Sequence, residues 1–189
     1  MNNGIHTLWP NQVLINNINN KELLENFTDS VLQDCNLDKP VFAMQEICIF
    51  KEGSKTFKQF RDKIVLPAFT EYLDLIGIDI NKFPDRKVKG WITGSKSGYV
   101  IQPHNHNGAS LSAIFYILNE EKNKGGELVL QDPRVNANRG YRNEFKFLFE
   151  DKKYMFSSGE YIIFPSYIYH YTLPFSGALR LAVPVDLFL

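Results

Sequence analysis

Apolar residues fall at helical spacing in the first half of the chain and at alternating spacing in the second. In 20-NKELLENFTDSVLQ-33 the residues Leu23, Leu24, Phe27, Val31 and Leu32 lie on one helical stripe, with Asn19 or Asn20 placed as N-cap. After Pro40, the stretch 41-VFAMQEICIF-50 is apolar enough to predict a buried strand. A second helical stripe runs through 54-SKTFKQFRDKIVLPAFTEYLDLIG-77, opened by Ser54, closed by Gly77 and kinked at Pro67. Both helices are expected to pack on the outside of a sheet.

From Val88 the pattern changes to short runs separated by Gly, Pro and Asn. Strands are predicted near 88–93, 97–102, 110–118, 126–131, 145–149, 153–157, 160–164, 167–173 and 178–187. Many short strands at such spacing predict a sandwich or barrel. The fold class is therefore mainly β with N-terminal helices. The whole chain, 1–189, reads as a single domain, with helical and strand support over 1–87 and a β core over 88–189.

Composition narrows the function. Lysine plus arginine equals aspartate plus glutamate, 21 against 21, so no basic excess points to nucleic acid. Cys35 and Cys48 form no CxxC and have no third partner. They predict neither a zinc set nor a disulfide framework, and a reducing compartment follows. The opening MNNGIHTLWPNQ lacks the features of a signal peptide, and no apolar run approaches a membrane span. The expectation is a cytoplasmic protein with no membrane partner.

Candidate chemistry comes from the strand faces. In 110-SLSAIFYIL-118, Leu111, Ala113, Phe115 and Ile117 share one face, and Ser110, Ser112, Ile114 and Tyr116 the other. In 178-ALRLAVPVD-186, Leu179, Leu181, Val183 and Val185 oppose Ala178, Arg180 and Ala182. In 167-YIYHYTL-173, His170 shares a face with Ile168 and Thr172, so three strands carry polar groups where a plain core would be apolar, which predicts a lined pocket. His104 and His106, two apart in 98-GYVIQPHNHNGAS-110, point the same way if the segment is extended. Imidazole nitrogens suit iron, zinc, copper and nickel, and a pair needs a third ligand, for which His170 stands ready. An HxH pair alone fits a polar loop equally well. His6 is given no role, and Gly125-Gly126 and Asp132-Pro133-Arg134 are read first as turns. Arg134, Arg139 and Arg142 are placed in a solvated loop.

The combination of 104-HNH-106, 116-YILN-119, 125-GGEL-128, 159-GEYIIFPSYIYH-170 and Arg180 resembles the iron(II)- and 2-oxoglutarate-dependent oxygenases, and within them the prolyl-hydroxylase-like branch with its uncharacterised microbial and phage members. The resemblance covers about residues 88–186. It implies a double-stranded β-helix (jelly-roll) core and the cofactor set Fe(II), 2-oxoglutarate and O2. It places the metal ligands on His104, His106 and His170. It also assigns Arg180 and Tyr116 to the remote carboxylate of 2-oxoglutarate, a planar guanidinium and a phenol being apt donors. A hydroxylase of a peptidyl or small-molecule substrate is the implied function.

One position departs from the pattern. The family's second ligand is a carboxylate, where this chain has His106. Either His106 is itself the third ligand, or Glu127 or Asp132 supplies a carboxylate. In a further alternative His106 is the first histidine, with Gly108 two later, as in halogenating relatives. The first reading keeps both imidazoles on one face and is preferred. Two competitors stand beside the oxygenase. A cupin-type three-histidine dioxygenase, without 2-oxoglutarate, fits Gly98 to His106 and Gly159, Pro165 and His170, but leaves Arg180 and Tyr116 without a task. A non-catalytic jelly-roll binding module is the other.

Overall fold

The computed structural model describes residues 10–34, 41–43, 48–52, 54–119, 123–134, 144 and 150–189. The predicted strand 145–149, together with His6, Cys35, Arg139 and Arg142, lies outside them.

Helix α1 (Lys21–Asp34) forms where its stripe predicts. Asn20 caps it, its Oδ1 accepting from the Leu23 amide at 3.0 Å. The second helical pattern is divided: α2 (Ile49–Glu52) precedes α3 (Lys55–Phe60), a π-helical turn Arg61–Val65 and α4 (Leu66–Leu75). Pro67 has no N–H to donate back into the helix, and the wider π turn just before it absorbs the mismatch. Gly77 follows at φ 78°, ending the helix. The predicted strand 41–50 is corrected accordingly: among its described residues β2 (Val41–Ala43) is extended, and Ile49 already begins α2.

The larger sheet has seven strands and is antiparallel. Its path runs from β1 (Leu14–Asn17) through β8 (Glu160–Pro165), β5 (Leu111–Leu118) and β10 (Arg180–Phe188) to β4 (Thr93–Ser95) and β2. Strand β3 (Lys87–Gly90) also pairs with β10. A three-stranded sheet holds β6 (Leu128–Leu130) between β7 (Lys152–Tyr154) and β9 (His170–Thr172).

Two predicted strands are interrupted for identifiable reasons. The run 88–93 splits into β3 and β4 opposite Pro184. Trp91 donates its amide to the Pro184 carbonyl at 3.1 Å, but proline has no N–H to return. The run 97–102 forms no ladder strand. It lies beside 170–175 through bonds such as Thr172 N–H to Ile101 O at 3.1 Å. The Ile101 amide, however, is taken by the Thr172 hydroxyl at 2.9 Å.

The period-two alternation of β5 and β10 creates two cores. Leu111, Ala113, Phe115 and Ile117 join Leu181, Val183, Val185 and Leu187 under the helices. On the opposite face Tyr116, Ile162, Phe164 and Ala182 pack with Leu128 and Leu130 of the smaller sheet. The result is three layers: helices, large sheet, small sheet. Phe27 anchors the first core, stacked on Phe60 with ring centroids 4.0 Å apart and edge-on to Phe57 at 5.0 Å. It is wholly buried. Phe27→Ala should cost about 3–5 kcal/mol of stability, read from urea unfolding, as loss of a core aromatic does. The histidine site in the other layer should be undisturbed.

Candidate active site

The cleft between the two sheets holds the polar residues. It is lined by Trp91, Thr93, Ile114, Tyr116, Ala182 and Pro184 of the large sheet and its connections, and by His170 and Thr172 of the small one.

His104, His106 and His170 meet at one end. One ring nitrogen of each lies within 4.8 Å of the others, and among the described residues this is the group of potential metal ligands. The backbone brings them together. His104 and His170 exchange amide bonds at 3.0 and 2.8 Å, and the His106 amide donates to Ser166 O at 3.2 Å. Ring centroids stand 4.4 Å apart for His104 and His170, 5.1 Å for His104 and His106, and 5.0 Å for His106 and His170.

Every Nδ1 is engaged. His104 Nδ1 meets Gln102 O at 2.8 Å, His170 Nδ1 meets Ile168 O at 3.1 Å, and His106 Nδ1 meets the Asp186 carboxylate at 2.6 Å. Each acceptor fixes the tautomer with the proton on Nδ1, leaving Nε2 as the ligand atom. A divalent transition metal therefore fits the donor set. Burial is the main force holding the His170 imidazole neutral, pushing its pKa down to about 3. His104 is lowered in the same direction, again chiefly by burial. Trp91, its ring 5.3 Å from that of His106, closes one side.

Arg180 lies in the same cleft, 3% exposed. Among the described residues its one hydrogen bond goes from Nη1 to the Gly126 carbonyl, and no carboxylate is within ion-pairing distance. Its Cζ stands 5.0 Å from the Phe175 ring centroid and 6.0 Å from that of Tyr116. Burial lowers its pKa, opposed by Tyr116, Glu127 and Tyr99. Tyr116 is buried too, which pushes its phenol up to about 12 and keeps it a neutral donor. Gly126, at φ 81°, makes this packing possible: a Cβ there would strike Arg180 Nη1 and sit 3.1 Å from Cζ.

The acidic alternatives do not join the histidines. Asp132 forms an ion pair with Arg134, which holds its carboxyl below the usual range. Glu127 contributes its charge near Arg180 instead. His104 stands in the cluster beside His106, so the arrangement starting at His106 and Gly108 is not the one formed. The carboxylate that does reach the site is Asp186, absent from the sequence reading. The signal was available, because Arg180, Ala182, Pro184 and Asp186 continue a single alternating face.

Three histidines whose ring nitrogens converge, beside a buried guanidinium in a β cleft, could hold a divalent metal next to an anion. Residues 89–186, just over half the chain, match the family described as "Putative 2OG-Fe(II) oxygenase", and the chain belongs to that family. Fe(II), 2-oxoglutarate and O2 are the corresponding cofactors. Solved structures agree at the level of fold. A prolyl-4-hydroxylase from Pseudomonas putida is 13% identical with a TM-score of 0.58, over 93% of this chain and 91% of that one. HygX from Streptomyces hygroscopicus, solved with nickel, 2-oxoglutarate and hygromycin B, is 11% identical with a TM-score of 0.64, over 93% and 82%. The viral collagen prolyl hydroxylase of Paramecium Bursaria Chlorella virus-1, a 2-oxoglutarate complex, is 10% identical with a TM-score of 0.60, over 93% and 94%. No curated protein matches the sequence. Among the described residues no helix is long and apolar enough to cross a membrane.

The depressed His170 pKa has a measurable consequence in the metal-free protein. The unfolded chain protonates this residue near about pH 6.5, whereas the folded one resists until about pH 3. Between those values the unfolded state binds the extra proton, so stability holds above about pH 6.5 and declines as pH falls. Urea midpoints measured in chelator from about pH 7 to pH 5 should drop, and should drop less steeply in His170→Gln. Equal slopes would mean that His170 is not held neutral by burial.

Proposed function

We propose that this chain is an Fe(II)- and 2-oxoglutarate-dependent hydroxylase acting on a peptidyl or small-molecule substrate. His104, His106 and His170 hold the metal, and Arg180 with Tyr116 holds the remote carboxylate of 2-oxoglutarate. The two facing antiparallel sheets serve as a double-stranded β-helix in one catalytic domain. The observation that carries this reading is Arg180. A guanidinium with five donors, one of them used among the described residues, is buried at high cost in the cleft that the histidines enter. An anion must meet it there. A cupin-type dioxygenase without 2-oxoglutarate, or a binding module with a structural metal, leaves that cost uncompensated.

Bound iron(II) supplies oxygen activation coupled to oxidative decarboxylation, in which 2-oxoglutarate becomes succinate and carbon dioxide and one oxygen atom enters a substrate C–H bond. The protein's part is positioning. Arg180 offers a planar, bidentate clamp, and its contact with Gly126 O fixes the fork before ligand arrives. Tyr116, neutral at physiological pH, adds a donor that does not repel the anion. Ile114, Ala182 and Pro184 form an apolar wall that excludes water between the clamp and the histidines. Each Nδ1 acceptor keeps its imidazole turned so that Nε2 faces the cleft.

Two measurements test this. Arg180→Ala should raise the dissociation constant for 2-oxoglutarate, measured by calorimetry on metal-loaded protein, by about tenfold or more, matching loss of a charge-assisted pair. Unchanged binding would remove the co-substrate from the site and favour the cupin reading. His106→Ala should weaken divalent metal binding by at least about tenfold with the fold retained; a variant that binds metal as the parent does would leave His106 outside the ligand set. Succinate release under air, with iron(II) and candidate substrates, reads the activity itself.

A further inference from the structure

We infer that Asp186 supplies the metal centre, through His106, with the negative charge that its ligands lack. This rests on the proposed three-histidine site and identifies what stabilises a cation there. Three neutral imidazoles carry one charge fewer than two histidines and a carboxylate. The structure places the missing charge one bond network outward.

The hydrogen-bond partners single out His106. His104 and His170 each meet the backbone carbonyl two residues earlier, a neutral acceptor. His106 alone meets a carboxylate, Asp186 Oδ1, at 2.6 Å. A carboxylate on the far nitrogen of a liganding imidazole raises the basicity of the metal-facing nitrogen and fixes the ring. Through this bond the His106 ring passes anionic character to whatever cation binds Nε2.

Asp186 is also built in at a cost that needs a return. It is 6% exposed, on β10, directly opposite Ser112 of β5. The Ser112 hydroxyl donates to the same Oδ1 at 2.8 Å and stands 3.0 Å from Ser166 Oγ. Among the described residues no Lys or Arg pairs with it. A buried carboxylate without a permanent cation is unfavourable. Its hydrogen-bond partner is the His106 ring, and that ring becomes more positive when Nε2 binds a metal. Asp186 is therefore a positioning residue that acts through His106 and touches no substrate.

Cobalt(II), followed by its visible absorption and by calorimetry, is the probe, with the fold of every variant checked by circular dichroism. In the parent background, Asp186→Asn keeps an acceptor for His106 but removes the charge, and should weaken cobalt binding about tenfold to a hundredfold. The decisive arm uses the His106→Asp background, in which a carboxylate ligand takes over and Asp186 loses its imidazole. There, adding Asp186→Asn should leave cobalt binding unchanged or strengthen it. A purely structural Asp186 predicts the same loss in both backgrounds, and that result overturns the inference. So does a parental dissociation constant in the single Asp186→Asn variant. If the parent itself binds no cobalt, the three-histidine reading fails and takes this inference with it, an outcome separate from the previous two. A second readout needs no variant. In the zinc-loaded parent, the His106 Nδ1 proton should resonate well downfield of those of His104 and His170; three equivalent protons would contradict the charge transfer.

Discussion

The period-two alternation of β10, held between β5 on one side and β3 and β4 on the other, is the constraint on which the molecule depends. Leu181, Val183, Val185 and Leu187 must face the helices, so Arg180, Ala182, Pro184 and Asp186 must face the cleft. A one-residue slip would put a guanidinium and a carboxylate into the helical core and four aliphatic side chains into the site. Burial of the apolar face thus fixes the position of the chemistry. Strand β10 then presents a cation at one end of the cleft and an anion at the other, about 20 Å of extended chain apart.

Electrostatics in the cleft follow from desolvation. Burial keeps His104 and His170 neutral and therefore able to offer lone pairs, and it keeps Tyr116 a phenol. The same burial makes Arg180 and Asp186 expensive unless each meets an opposite charge. Arg180 has no carboxylate within ion-pairing distance among the described residues. Asp186 already has two hydrogen-bond donors, the His106 ring and the Ser112 hydroxyl. The site is thus polarised before anything enters it, with the oppositely charged groups separated by the apolar wall of Ile114, Ala182 and Pro184.

Much of this was legible in the chain. The stripe through Leu23, Phe27 and Val31 gave α1 its buried face, and the alternation of Leu111, Ala113, Phe115 and Ile117 gave β5 both its faces. The histidine trio and the inward Arg180 followed from spacing and face. Other features were hidden because they depend on partners distant in sequence. The Ile101 amide is diverted by the Thr172 hydroxyl, and the ladder at Trp91 is broken by Pro184 on another strand. Neither event leaves a mark in the segment it alters. The π turn before Pro67 was foreshadowed as a kink, but its form depends on how the helix settles on the core. Asp186 lay within the predicted strand 178–187 and on the right face, six residues beyond Arg180, but that face was assigned only as far as Ala182.

Gly126 determines how deep the cleft can be. The guanidinium that closes the far end occupies the volume a methyl group would need. The end wall is therefore positioned by a residue that has no side chain of its own. A single added carbon at that point would strain the backbone and displace the guanidinium, which changes the shape of that end of the cleft. The shape of that end of the cleft thus depends on a backbone position, and a change there would alter it without touching any of the three histidines.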